Sequence, residues 1–155
     1  YNQLDYRLRR DERVIVHERT NLMHIDSLDP QPHVAVADLS FRSLRGAARR
    51  AVGLTIDRYA VLLIKPQFEW AVAPPDFSGT VPEAALPGIL SGTLGALVDE
   101  GLALFALEES PITGRAGNRE FLLLAGDAGA GREPRGTREL VDAVLAGDRL
   151  GGATS

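Results

Sequence analysis

Apolar residues recur along the chain in two rhythms, one near four residues and one near two. Leu4 and Leu8, four apart among polar neighbours, predict a short amphipathic helix over Asn2–Arg10. Two Val-rich runs, Arg13–Glu18 (RVIVHE) and His33–Asp38 (HVAVAD), each end on an acid and read as buried parallel strands with the acids at their carboxyl ends. Between them, Asn21–Pro32 contains Asp-Ser, Asp-Pro and Gln-Pro, which predicts a loop with room for one helical turn. Ser43 is placed to cap a helix running to about Val52, with Arg45, Arg49 and Arg50 on its outer face. Asp57–Lys65 (DRYAVLLIK) is the strongest apolar run, and Pro66 stops it, so Lys65 falls at a strand's carboxyl end.

Pro74-Pro75 through Gly79 reads as an irregular loop, and Pro82–Glu100 as a helix that Pro87, Gly88, Gly92 and Gly95 are expected to kink or break. Leu102–Glu108 and Glu120–Leu124 predict two strands joined by a turn over Ser110–Asn118, hence an antiparallel pair. Gly126–Gly136 is rich in Gly, Ala and Arg and reads as a flexible linker, followed by a short helix, Arg138–Ala146, capped by Thr137; the closing GGATS is expected to be disordered. The predicted fold class is α/β, with a mainly parallel sheet, an antiparallel last strand and helices on both faces. The expected division is a domain over 1–125 and a linker with its helix over 126–155.

With 155 residues, 45% of them hydrophobic, the chain suits one domain around one core. The longest apolar runs fall short of a membrane span and no secretory signal opens the sequence, so a cytoplasmic protein without membrane association is expected. The absence of cysteine excludes thiolate sites, and His17, His24 and His33 lack ligand spacing, so no metal is expected. A net charge of −4 argues against a chain that clamps a long phosphate backbone by itself. Of 17 basic residues only Lys65 is lysine. An amine can give up its proton in a suitable environment whereas a guanidinium cannot, which nominates Lys65 for chemistry, although one surviving lysine is also what an arginine-biased composition leaves by chance.

Ligands of open α/β sheets bind outside the carboxyl ends of the strands. The candidates there are Glu18 with Arg19, Thr20 and Asn21; Asp38 with Ser40; Lys65 with Gln67; and Glu120, which starts the antiparallel strand beside those ends. A lysine held among carboxylates and partly desolvated suits proton removal from an alcohol. Asp38 as a plain helix cap and Glu120 as an edge-strand surface charge are the structural alternatives. His17 reads as an ordinary strand residue, and Arg45, Arg49 and Arg50 as a solvated face.

ERTN at Glu18–Asn21, ADLSF at Ala37–Phe41, KPQFE at Lys65–Glu69 and SPITGRAGNREFL at Ser110–Leu122 resemble, in order and spacing, the hallmark segments of the TlyA (hemolysin A) family of ribosomal RNA 2′-O-methyltransferases, relatives of the FtsJ fold. Tyr1–Leu4 resembles the segment after that family's second strand. The resemblance implies a Rossmann-like methyltransferase fold lacking its first two strands, with 1–125 as the C-terminal portion of the domain. It implies S-adenosyl-L-methionine as cofactor, ribosomal RNA or a ribosomal subunit as partner, and methylation of a ribose 2′-hydroxyl. Three members of the family's Lys-Asp-Lys-Glu tetrad fall on Asp38, Lys65 and Glu120, with Lys65 as the base. Asn21, Leu22 and Asp38 are implied as cofactor neighbours. The family's first tetrad lysine, its glycine-rich cofactor loop, its ribose-binding acid and its S4-like RNA-binding domain have no counterpart in this sequence, and WAVAPPDFSGTVPEA stands where a Gly- and Lys-containing stretch is usual. A chain opening on Tyr1 is therefore expected to be an N-terminally truncated piece, inactive alone and prone to self-association through uncovered sheet. The alternative is a degenerate, non-catalytic module for RNA or protein association.

Overall fold

A computed structural model of the chain describes residues 4–40 and 43–147. Its centre is a pair of antiparallel strands, β2 (Tyr59–Ile64) and β4 (Phe121–Gly126), in register from Tyr59 opposite Gly126 to Ile64 opposite Phe121. β1 (Ala35–Ala37) lies parallel to β2 on one side, and β3 (Ala103–Glu109) lies antiparallel to β4 on the other, giving the order β1-β2-β4-β3. β1, β2 and β3 thus run one way and β4 runs against them, as the sequence predicts.

Alternation along the central strands sorts their residues by face. Ala60, Leu62 and Ile64 of β2 and Phe121, Leu123 and Ala125 of β4 are fully buried, while Tyr59, Val61, Leu63, Leu122 and Leu124 on the other face are only partly so. The buried face receives Ala48 and Val52 of α2 (Ala47–Gly53), Leu86, Leu90, Leu94 and Leu97 of α4 (Leu86–Asp99), and Leu140, Val141 and Val144 of α5 (Thr137–Ala146). Each buried leucine contributes about 1.5–3 kcal/mol through the water it sheds. Helices on both faces are expected from the sequence; among the described residues these three all pack on one, and Val36 on the opposite face is 78% exposed.

Three other expectations are corrected. Arg13–Glu18 is not a strand: it has no ladder partner among the described residues, Ile15 is 56% exposed, and Glu18 pairs with Arg9. Val-rich composition favours a strand only where a neighbouring edge takes up its backbone groups. The helix expected over Asn2–Arg10 is the single turn α1 (Tyr6–Arg9), capped by Asp5, whose carboxylate accepts the Arg7 amide at 2.8 Å; residues 1–3 lie outside the described ones. α4 is unbroken, because Pro87 sits in the first turn, where its missing N–H costs no helical bond, and the apolar stripe outweighs three glycines. The irregularity is a 3-10 turn, Glu83–Ala85, ahead of it.

The segment after β4 is tied down at both ends. Asp127 pairs with Arg49 of α2 and with Arg58, at 2.8 Å, just before β2; the Arg135 amide donates to the Leu104 carbonyl at 2.7 Å as the chain enters α5. α5 begins at Thr137 with Gly136 in the cap position. GGATS lies outside the described residues, and among those described no helix is long and apolar enough to cross a membrane.

Burial works to raise the Asp127 pKa, but the hydrogen bonds and charges of Arg49 and Arg58 outweigh it and hold the carboxyl below its ordinary range. A depressed folded value gives stability that is complete above the unfolded pKa near 3.8 and disappears as pH falls through the folded value. Asp127→Asn is therefore expected to lower unfolding stability by about 1 kcal/mol at pH 7, discounted for partial exposure, and to converge with wild type in strong acid. Urea unfolding between pH 2 and 7 measures this; a gap independent of pH contradicts it.

Candidate active site

Lys65 follows Ile64 at the end of β2, and Pro66 turns the chain at once into α3 (Pro66–Glu69), so the lysine occupies the cap position between strand and helix. Asp38 follows Ala37, the last residue of β1, and β1 is parallel to β2; the two side chains therefore leave the same end of neighbouring strands. Their charged ends meet: Lys65 Nζ lies 2.6 Å from Asp38 Oδ1 and donates to Ser40 Oγ at 3.4 Å. The pair is asymmetric, with the lysine side chain 13% and the aspartate 63% exposed. The ammonium is thus packed against protein while its carboxylate partner is largely solvated.

Glu120 reaches this end from the other side. Because Ile64 opposes Phe121 across the β2–β4 ladder, continuing that register sets Lys65 opposite Glu120. Its carboxylate, however, lies over Gly114: a Cβ there would sit 2.3 Å from Glu120 Oε1, so glycine provides the space. No ion pair joins Glu120 to Lys65 among the described residues, and the lysine's partner is Asp38.

Asn21 and Leu22 stand apart from this group. Asn21 caps a 3-10 turn, Leu22–His24, with its side-chain oxygen accepting the Met23 amide at 3.0 Å, and no described contact joins either residue to Asp38, Lys65 or Glu120. Glu18, with no strand to end, pairs with Arg9 instead. Gln67 carries an unmet need: its Oε1 is buried without a hydrogen-bond partner among the described residues, a deficit of about 1–3 kcal/mol where no donor reaches it. Among the described residues no cluster of His, Cys, Asp or Glu is arranged to hold a metal ion.

Two residues inside the quoted motifs act in ways sequence reasoning misses. Glu69, only 6% exposed, accepts the Ser43 hydroxyl at 2.6 Å and the Leu44 amide at 2.7 Å. The cap expected from Ser43 is therefore supplied otherwise: Ser43 turns to Glu69, and the cap position of α2 falls on Gly46, with φ at 74°, whose amide is held by Glu100 at 2.8 and 3.0 Å. Asn118 is buried and clips the loop before α4, accepting the Val81 amide at 2.8 Å and donating to the Gly79 carbonyl at 2.7 Å. Arg119 next to it bridges Glu109 at 2.7 Å and Glu83 at 2.8 Å, and these bonds raise its pKa above the ordinary arginine value. A cleft of about 310 Å³ borders Arg45, Glu69, Trp70, Gly88, Ile89 and Gly92, but neither Lys65 nor Asp38 lines it.

The sequence pattern of FtsJ-like methyltransferases matches residues 1–127. The chain is 37% identical over 138 residues to YqxC of Bacillus subtilis, named as a candidate rRNA methyltransferase, covering 86% of this chain and 49% of that protein. It is 34% identical over 128 residues to the 16S/23S rRNA (cytidine-2′-O)-methyltransferase TlyA of Mycobacterium tuberculosis, covering 79% of this chain and 47% of that one. A solved structure of a candidate hemolysin from Streptococcus thermophilus superposes with a TM-score of 0.73 at 30% identity, over 96% of this chain and 56% of the other. The chain thus spans about half the length of the curated relatives it matches.

Asn118→Ala removes both clips and leaves the partly buried Val81 amide and Gly79 carbonyl without these partners. The expected outcome is a loss of about 1–3 kcal/mol in thermal unfolding together with faster hydrogen exchange at the Val81 amide. Unchanged exchange there means that the loop is held by other contacts.

Proposed function

The chain belongs to the FtsJ-like methyltransferase family, and from that premise we propose that it carries the catalytic edge of an S-adenosylmethionine-dependent enzyme that methylates a ribose 2′-hydroxyl of ribosomal RNA. The observation that carries the proposal is the ion pair between Lys65 and Asp38 at the carboxyl ends of two parallel strands. In this reading the mixed four-stranded sheet is the later part of a Rossmann-like methyltransferase sheet. The relatives named for rRNA methylation support the substrate class.

The chemistry of the donors fits the cofactor. Asp38 offers a largely solvated carboxylate with one oxygen engaged by Lys65, suited to lie near a sulfonium or an ammonium group. The Asn21 oxygen is spent on its own turn, which leaves its amide hydrogens to meet an adenine ring, with the half-buried Leu22 as an apolar neighbour. The unmatched Gln67 oxygen adds an acceptor one residue beyond Pro66. When bound, S-adenosylmethionine supplies an electrophilic methyl group; the residues of this chain act on the acceptor.

To act as the base, Lys65 first releases its proton to solvent; the free amine then accepts the proton of the 2′-hydroxyl as that oxygen attacks, and the ammonium so re-formed pairs again with Asp38. Asp38 and Ser40 fix the direction of the amine, so that the hydroxyl meets a base in place. Glu120, which the continued register sets opposite Lys65, brings a second carboxylate to this end of the sheet, resting over Gly114. With a net charge of −4, the chain contributes orientation more than affinity for the phosphate backbone.

Transfer of radiolabelled methyl groups to ribosomal RNA by the protein containing this sequence tests the proposal. Lys65→Ala is expected to lower kcat by about 10²–10⁴, the range of a general base, and Lys65→Arg to leave it equally low because a guanidinium does not take up the proton. Near-normal turnover by Lys65→Arg contradicts the assignment.

A further inference from the structure

Lys65 and Glu69 open and close the same four-residue turn of chain, and each grips the connection that leaves β1 at Asp38 and enters α2 at Gly46. Lys65 holds its near end, at Asp38 and Ser40. Glu69 holds its far end, with one carboxylate oxygen on the Ser43 hydroxyl and the other on the Leu44 amide. Glu100, at the end of α4, grips the same connection at Gly46. Two of the three anchors therefore come from the segment that bears the lysine, and the third from a distant helix.

A carboxylate that is 6% exposed is expensive to bury unless its hydrogen bonds do something an apolar side chain cannot. Here it satisfies the backbone amide of the buried Leu44 and fixes the serine hydroxyl, which in turn accepts the Arg45 amide at 3.1 Å. We propose that Glu69 is a positioning residue for Lys65: by locking the entry to α2 onto the lysine-bearing turn, it sets where Asp38 and Ser40 meet the amine. Its meaning for catalysis rests on the reading of Lys65 as the base, whereas its action on the position of Lys65 does not.

The single lysine makes the position of the amine directly visible. In the full chain labelled with ¹³C,¹⁵N-lysine, the side-chain resonances belong to Lys65 alone, and the exchange of its ammonium protons with water reports the ion pair. Glu69→Gln and Ser43→Ala are each expected to move the Lys65 Cε and Nζ resonances toward their positions in Asp38→Asn and to accelerate ammonium exchange several-fold. Glu100→Gln, which loosens the same connection from α4, is expected to leave both unchanged. Circular dichroism checks folding, and should Glu69→Gln fail to fold, the milder Ser43→Ala decides. Folded variants with unmoved Lys65 resonances overturn the proposal, as does an equal displacement in Glu100→Gln, which means a general loosening. Methyl transfer measured on the same variants separates the two questions: displaced resonances with unchanged turnover keep the positioning role and remove Lys65 as the base.

Discussion

The ladder between β2 and β4 is the constraint on which the remaining structure depends, because it fixes two things with one register. It turns Ala60, Leu62 and Ile64 together with Phe121, Leu123 and Ala125 toward the three packing helices, and it ends with Ile64 against Phe121, so that the residues beyond them, Lys65 and Glu120, emerge at the same place. A slip of one residue would turn the buried set to the open face, so the energy that holds the register is the energy of the core itself. Packing of leucines, through the ladder, sets where Lys65 and Glu120 emerge.

At that end of the sheet the sequence spends its polar residues in pairs that differ in exposure. Lys65 with Asp38 is partly open, through its solvated aspartate; Glu69 with Ser43 and Leu44 is buried and keeps the same two segments together. An exposed ion pair alone holds geometry weakly, typically by less than about 1 kcal/mol. Buried hydrogen bonds to a carboxylate are stiffer, which is why the closed pair is suited to define where the open one sits. Asn118 performs a similar service elsewhere, fastening the loop at Gly79 and Val81 to the turn that precedes Glu120.

Much of this is legible in the sequence, for identifiable reasons. DRYAVLLIK followed by proline has the composition of a buried strand and a residue that cannot continue it, so the place of Lys65 can be read directly; β3, β4 and α5 follow from similarly local signals. RVIVHE carries the same composition without the same outcome, since a strand is a relation between two segments and its own letters do not show the absence of a partner. Prolines and glycines in α4 forecast a break that a continuous leucine stripe prevents. Glu69, Glu100 and Asn118 act on residues 25 to 54 positions away, and no short-range pattern announces a contact at that separation. Glu120 is legible as a position and not as a direction, because the room that Gly114 leaves for it appears only once the turn is folded.

One amine and one carboxylate, Lys65 and Asp38, are linked energetically at this end of the sheet, and a double-mutant cycle measures that link most directly. Unfolding free energies of wild type, Lys65→Met, Asp38→Asn and the double variant at low ionic strength should show a coupling of about 0.5–1 kcal/mol that shrinks as salt is added. Additive effects within about 0.3 kcal/mol at every salt concentration would mean that Lys65 and Asp38 do not hold each other in solution.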